Sequence, residues 1–407
     1  MMKKFYVVLT VILAGLSALA EEIPYISALR KKAEHEDPES QFILGVHYVL
    51  GKGGVKKNFA EGFKWIRKAA ENGHTQAQYD IGECYLCGEG VEKDLTEAVK
   101  WFRKAAEYGH AKAQYVLGGC YVFGKWGVER DFNVGFKWIR KAAGRGHTQA
   151  QYDIGECYLH GEGVKKDLTE AAKWFRKAAE NGHAKAQVMI GAWYAVGGGG
   201  VKRDLVEAVK WLRKAAEQGN ADAQDGLGRC YAYGVGVTKD TTEAVKWFKK
   251  AAEQGDAGAQ VALGVCYADG DGVTQNMPEA IKWLKKAAEQ GNADALILLE
   301  YYTASTVKDG LEILHKFAKQ GNPFAQYTLG TLYATGRGGV EKNFAEGFKW
   351  VRKAAEQGLA AAQYDIGECY EYGEGVPENY YQAIDWYYEA ANQGELRALK
   401  ALKRLWD

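Results

Sequence analysis

Tryptophan recurs in this chain with a nearly fixed stride. Trp65, Trp101, Trp138, Trp174, Trp211, Trp247 and Trp283 lie 36 or 37 residues apart, and after an interruption Trp350 and Trp386 resume at 36. A unit of that size cannot bury its apolar face alone, so its neighbours must stack on it as a solenoid. The usual division of 407 residues into two or three globular domains is therefore set aside. Composition agrees: 50 glycines against only 5 prolines suit helices closed by glycine caps. Hydrophobic residues at 47% and charged ones at 26% exclude disordered and collagen-like chains.

One clear copy runs Ala77-Gln78-Tyr79-Asp80-Ile81-Gly82-Glu83-Cys84-Tyr85, then Gly88-Glu89-Gly90-Val91, then Asp94-Leu95-Thr96-Glu97-Ala98 toward Trp101 and Gly109. It reads as helix A, a glycine turn, helix B and a second glycine turn. Asp94 followed three residues later by Glu97 is an N-cap signature, repeated at Asp167, Asp204, Asp240, Asn58, Asn276 and Asn343. Gly73, Gly109, Gly146, Gly182, Gly219, Gly255, Gly291, Gly321, Gly358 and Gly394 close helix B, which gives ten repeats. On helix A, a spacing of 100° per residue places Ala77, Ile81, Cys84 and Gly88 on one packed face. Gly82 recurs inside helix A, where glycine costs about 1 kcal/mol relative to alanine, so a close helix crossing is expected there.

The pattern of Ala, Leu-Gly, Tyr, Gly-x-Gly-Val, Asp, Ala, Trp and Ala-Ala-x-x-Gly resembles the Sel1-like repeat family, relatives of tetratricopeptide repeats, over about residues 25 to 407. The resemblance implies an all-α, right-handed superhelical solenoid of about ten helix-turn-helix repeats. It also implies that helix A lines the concave side and that the chain is an adaptor or scaffold for other proteins, with no catalytic residue and no cofactor. The organisation expected is a signal peptide at 1–20, an N-terminal capping helix at 21–39, the solenoid at 40–394 and a C-terminal capping helix at 395–407. Within it the repeat degenerates at about 295–321, where Glu300 replaces the helix A glycine and the Gly-x-Gly-Val loop is missing.

Lys3 and Lys4, the apolar stretch Phe5 to Leu16, and Ala18-Leu19-Ala20 before Glu21 form an export leader, so the mature chain is expected to be periplasmic or secreted, with no membrane span after cleavage. Removing Lys3 and Lys4 turns the net charge of +1 into −1, which leaves no field for wrapping nucleic acid.

Four features invite a chemical reading. Cys84, Cys120, Cys157, Cys230, Cys266 and Cys369 occupy one helix A slot, which reads as packing; Cys84 and Cys87 have the spacing of a redox pair. Secreted cysteine-rich members of the resembled family pair cysteines between helices A and B of one repeat, and helix B here has none, so that staple is not carried over. His74, His110, His147 and His183 form a ladder that suggests metal, but Asn220, Asp256, Asn292 and Asn322 fill the slot later, as a helix cap would. Ser305-Thr306-Val307-Lys308 matches the Ser-x-x-Lys of penicillin-recognising hydrolases, which leaves a cell-envelope enzyme of penicillin-binding or β-lactamase-like type as the alternative; Thr306 also aligns as an N-cap before Asp309. Gly197 to Gly200 is a loop variant of the repeat.

The remaining signal is the helix A edge at the slots of Tyr79, Asp80, Glu83, Leu86 and Cys87, expected to be exposed. It carries the carboxylate pairs Asp80/Glu83, Asp153/Glu156 and Asp365/Glu368, and between them Phe123 and Met189, with Arg229 and Tyr233 alongside. Acidic rims around an apolar stretch are what a groove for a protein or peptide partner with basic flanks would need. Helix B, rich in Lys, Arg and Glu, is expected to form a solvated convex face.

Overall fold

The computed structural model describes residues 22–406, and every regular element among them is an α-helix. The leader expected at residues 1–20 lies outside the described residues. The chain divides into two compact units at Lys165 and Lys166. The N-terminal unit holds α1 (Glu22–Glu34), α2 (Pro38–Leu50), α3 (Phe59–Glu71), α4 (Thr75–Cys87), α5 (Leu95–Glu107), α6 (Ala111–Phe123), α7 (Phe132–Gly144) and α8 (Thr148–His160). The C-terminal unit begins with α9 (Leu168–Glu180), α10 (Ala184–Val196), α11 (Leu205–Glu217), α12 (Ala221–Tyr233), α13 (Thr241–Glu253), α14 (Ala257–Asp269) and α15 (Met277–Glu289). It continues with α16 (Ala293–Thr303), α17 (Val307–Lys319), α18 (Pro323–Thr335), α19 (Phe344–Glu356), α20 (Ala360–Tyr372), α21 (Tyr380–Asn392) and α22 (Leu396–Trp406). Even-numbered helices from α2 to α20 are helix A, and the odd-numbered helix that follows each is helix B. No helix of the described residues is long and apolar enough to cross a membrane.

Local chemistry sets each boundary. Asp94 accepts the backbone N–H groups of Thr96 and Glu97 at 2.9 and 3.0 Å, satisfying donors that the first turn of α5 leaves without partners. Gly73 closes α3 at φ 88°, a left-handed conformation that side chains resist, and the other nine helix B closures lie between 84° and 97°. The degenerate repeat departs as its sequence requires: α16 has 11 residues where its neighbours have 13, and ends at Ala304 rather than at a left-handed glycine.

Packing explains the glycine inside helix A. A Cβ on Gly118 would sit 3.0 Å from the Gly135 carbonyl oxygen, and one on Gly135 would sit 2.8 Å from the Gly118 carbonyl oxygen. The two backbones thus meet at a distance only glycine permits, which offsets its poor helix propensity. In the next pair up the chain, the space over Gly82 is filled by the Phe102 ring, itself fully buried beside Ala77 and Ile81. Burial of such an aromatic contributes about 1.5–3 kcal/mol.

A buried glutamine in each regular helix A fastens it to the preceding helix B. Gln78, Gln114, Gln187 and Gln224 donate through Nε2 to the carbonyls of Ala70, Ala106, Ala179 and Ala216 at 2.9–3.2 Å. Those carbonyls lie in the last turn of helix B, where intrahelical donors run out. Eight of the nine helix B tryptophans underlie the lysine three residues on, as with Lys104 4.2 Å from the Trp101 ring centre and Lys250 3.9 Å from that of Trp247, whereas Trp386 has Glu389 at that position. The recurring tryptophan is therefore amphipathic, packed on one side and roofed by a cation on the other.

The last helix does more than end the stack. Ala398 and Leu402 of α22 are buried in the slots that Ala362 and Ile366 fill one repeat earlier, as a cap on α21 requires. Yet α22 also touches α10 and α12, and its apolar residues share one cluster with Ala195, Leu205, Ala208 and Val235. The C-terminal unit therefore curls until its end meets its own early repeats.

Candidate interaction surface on the helix A edge

In the N-terminal unit the edge is built by α4, α6 and α8. Asp80 accepts a hydrogen bond from Gln76 at 2.7 Å, one helical turn away, and Asp153 accepts the same bond from Gln149 at 2.8 Å. Glu83 is bonded by the Tyr79 hydroxyl, and Asp153 is bonded across helices by Tyr115. Burial pushes the Asp80 carboxyl up to about 7, a rise that the Glu83 charge increases and that the Gln76 bond and Lys112 oppose. Burial raises Glu83 as well, against the Tyr79 bond and Lys112. Lys112 of α6 thus faces both carboxylates of α4.

The edge is less open than its slots suggest. Tyr79, expected to be exposed, is buried, because the His110 ring of the next repeat stacks on it with centroids 4.6 Å apart. Asp80, Glu83, Asp153, Glu156 and Leu86 are half-buried, and only Cys87 of the quoted slots is exposed. Phe123 stands at the C-terminal end of α6, 67% exposed, with Lys125 over its ring at 5.1 Å.

The histidine ladder is a set of caps. The Nδ1 atoms of His74, His110, His147 and His183 accept the backbone N–H three residues on at 3.1 or 3.2 Å, the bond that Asn220 makes through Oδ1 at 2.8 Å. His110 Nε2 lies 3.0 Å from Gln76 Oε1 and therefore carries the proton. Burial, aided by Lys112 and His147, pushes His110 down to about 4, so it stays neutral and its Nδ1 free to accept.

The cysteine slot is less uniform than the sequence implies. All seven cysteines are free thiols; Cys84, Cys120 and Cys230 are buried, whereas Cys157, Cys266 and Cys369 are half-buried. The slot lies where the packed stripe meets the edge, so small differences in the neighbouring repeat open it.

In the C-terminal unit Arg229, Tyr233, Asp365 and Glu368 are already engaged. Arg229 donates to Asp225 at 2.7 Å. Arg397 of α22 donates to Asp365 at 3.0 Å and lies over the rings of Tyr364 and Tyr233 at 4.4 and 5.0 Å. Tyr364 bonds Glu368. Burial raises Asp365 to about 6, against the opposing charge of Arg397. The structure thus brings Tyr233 and Asp365 together through Arg397, a residue without a motif of its own; Met189 is half-buried on α10. The Ser-x-x-Lys segment is a helix start: Thr306 Oγ1 accepts the Asp309 N–H at 3.1 Å, and Lys308 points to Glu312 at 4.0 Å.

Stacked helix pairs with a polar, half-buried helix A edge define an α-solenoid. A family model described as Sel1 repeat matches residues 38–74, 75–110, 111–147, 148–183, 184–220, 221–256, 257–292, 323–359 and 360–395, and the chain belongs to that family. Residues 293–322, where α16 and α17 lie, fall between matches. The chain is similar to c5321 of uropathogenic Escherichia coli, described as a protective antigen displaying an SLR fold, with 33% identity, 93% of this chain and 90% of that one covered, and a TM-score of 0.65. It is also similar to a Sel1 repeat protein from Oxalobacter formigenes, with 34% identity, 61% and 96% covered, and a TM-score of 0.49. No curated protein matches the chain.

Proposed function

We propose that this Sel1-repeat chain is an exported, non-enzymatic scaffold that binds a protein partner through the helix A edge. The observation that carries the reading is the set of carboxylates on α4 and α8, Asp80 and Asp153 each held by a glutamine one turn away and Glu83 and Glu156 by the tyrosines Tyr79 and Tyr152, while all four remain partly open to solvent. Fixed side chains lose little freedom on binding, so such a set suits recognition of a basic or amphipathic segment. Proteins of this family are typically interaction scaffolds. Thr306, between Ser305 and Lys308, caps a helix start, which speaks against the hydrolase reading. The basic, apolar and small-residue regions at residues 1–20 support export, a route that a protective antigen such as the similar E. coli protein also suits. The test is a paired capture from envelope and secreted fractions, using the wild-type chain and a variant carrying Asp80→Asn, Glu83→Gln, Asp153→Asn and Glu156→Gln. A partner retained by the wild type and lost by the variant supports the edge; equal retention by both removes it.

A further inference from the structure

The C-terminal helix is chemically unlike the helix A series that it continues. Where α4, α8 and α20 carry acidic residues, α22 carries Arg397, Lys400, Lys403 and Arg404 and no acid. A terminal cap needs one apolar stripe against α21 and a polar outer face. Ala398 and Leu402 supply the stripe. Ala401, however, stands in the edge slot that Asp365 fills one repeat earlier, and it is buried.

What meets that edge is the face of α10 and α12. Leu396 packs with the cluster of Val209, Leu227 and Trp247. Lys400 Nζ reaches the Tyr233 carbonyl at 3.5 Å, at the C-terminal end of α12, where a helix dipole favours a cation. Arg397 lies between the Tyr233 ring and the Asp365 carboxylate, with both partners of that ion pair about one-fifth exposed. Arg404 donates to Glu371 at 2.6 Å. The contact with α10 and α12 is sparser than the contact with α21.

We propose that the helix A face formed by α10, α12 and α20 is a receptor for a basic amphipathic helix, and that α22 is its resident occupant, which a partner helix of the same pattern must displace. The proposal rests on the scaffold reading and adds the chemistry of the ligand and a gate. The ligand needs an arginine to bridge the carboxylate and the tyrosine, a lysine one turn on to meet the carbonyls ending α12, and a small residue at the close approach. Displacement is local, because the stripe on α21 and the seat on α10 and α12 are different faces of α22. While the seat is filled, the apparent affinity for an external helix is reduced by the fraction of time the seat is empty.

The probe is a fluorescently labelled synthetic peptide with the sequence of residues 395–407, titrated into the full chain and followed by anisotropy. Arg397→Glu with Lys400→Glu, which spares Ala398 and Leu402, is expected to bind the peptide about tenfold or more tightly than the wild type. Ala401→Glu, which acts by bulk at the close approach, is expected to give the same gain and replaces the double variant if that one fails to fold. Adding Tyr233→Ala and Asp365→Asn to either background is expected to abolish the gain. No binding to a folded released variant overturns the receptor, and equal binding to wild type and released variants overturns the gate. The scaffold reading is judged separately, by partner capture with the carboxylate variant of α4 and α8, so either idea can fail alone.

Discussion

Asp80 is half-buried beside Glu83, and its carboxyl rises from an ordinary 3.8 to about 7 because burial disfavours the charge. Between those values the folded chain holds the proton more tightly than the unfolded chain does. The stabilisation this group gives is therefore full below 3.8 and lost as pH climbs through about 7. Asp80→Asn keeps an acceptor for Gln76 and removes the charge, so it is expected to stabilise the chain at pH 8, on the order of 1 kcal/mol, and to add almost nothing at pH 4. Thermal melts at the two pH values decide it, and equal gains would show that charge burial is not the cause. The thiols give a second measurement. Burial pushes Cys84 and Cys230 up to about 12 and Cys120, Cys157 and Cys266 up to about 11, which keeps them protonated at neutral pH. Mass mapping after timed alkylation should find Cys87 modified first, the half-buried Cys157, Cys266 and Cys369 next, and Cys84, Cys120 and Cys230 only on unfolding. Tyr79 shows why residue-level reading stops short: its slot on helix A looks exposed, and the cap histidine of the next repeat stacks over it.

Helix boundaries were legible because their causes are local. Asp94 and Gly73 act on atoms within a few residues, so the spacing on the page is the spacing in the fold. The same locality makes the histidine ladder testable. His110→Asn is expected to keep the cap, as Asn220 does in its own repeat, and to cost less than His110→Ala, which loses about 1 kcal/mol of capping together with the stack on Tyr79. Two glycines on α6 separate packing from propensity. Gly118→Ala drives a Cβ against the Gly135 carbonyl and is expected to cost about 1–3 kcal/mol. Gly119→Ala meets nothing within 4 Å and is expected to stabilise by up to about 1 kcal/mol. Urea midpoints of the two variants should move in opposite directions. The buried glutamine was also written at the period of the repeat, in the Ala-Gln of the first turn of helix A, and a search for polar residues on the packed stripe would have found it. The seat of α22 on α10 and α12 was not legible, since it arises from small rotations summed over the repeats of the C-terminal unit rather than from a motif.

Across the whole chain, charge is nearly balanced at +1. A molecule with so little net charge has no long-range field to steer a partner, so any salt dependence of binding must come from local patches within about a Debye length, roughly 8 Å at physiological ionic strength. The strongest acidic patch of the N-terminal unit on this edge is the carboxylate set of α4 and α8. Its members are partly open to solvent, so they act mainly on encounter, whereas a desolvated aromatic acts on the lifetime of a complex. Replacing Asp80, Glu83, Asp153 and Glu156 by their amides is therefore expected to slow association and to flatten the dependence of affinity on salt, with dissociation little changed. Tyr233→Ala acts differently, because its ring already holds Arg397 and its loss frees the seat as well as removing an anchor. A partner that uses the N-terminal edge alone should be indifferent to Tyr233→Ala, and one that displaces α22 should dissociate faster from it. Association and dissociation rates measured at 50 and 300 mM salt for both variants separate the two cases, and a salt slope that survives loss of all four carboxylates would move the charged contact to the lysine and arginine rows of helix B.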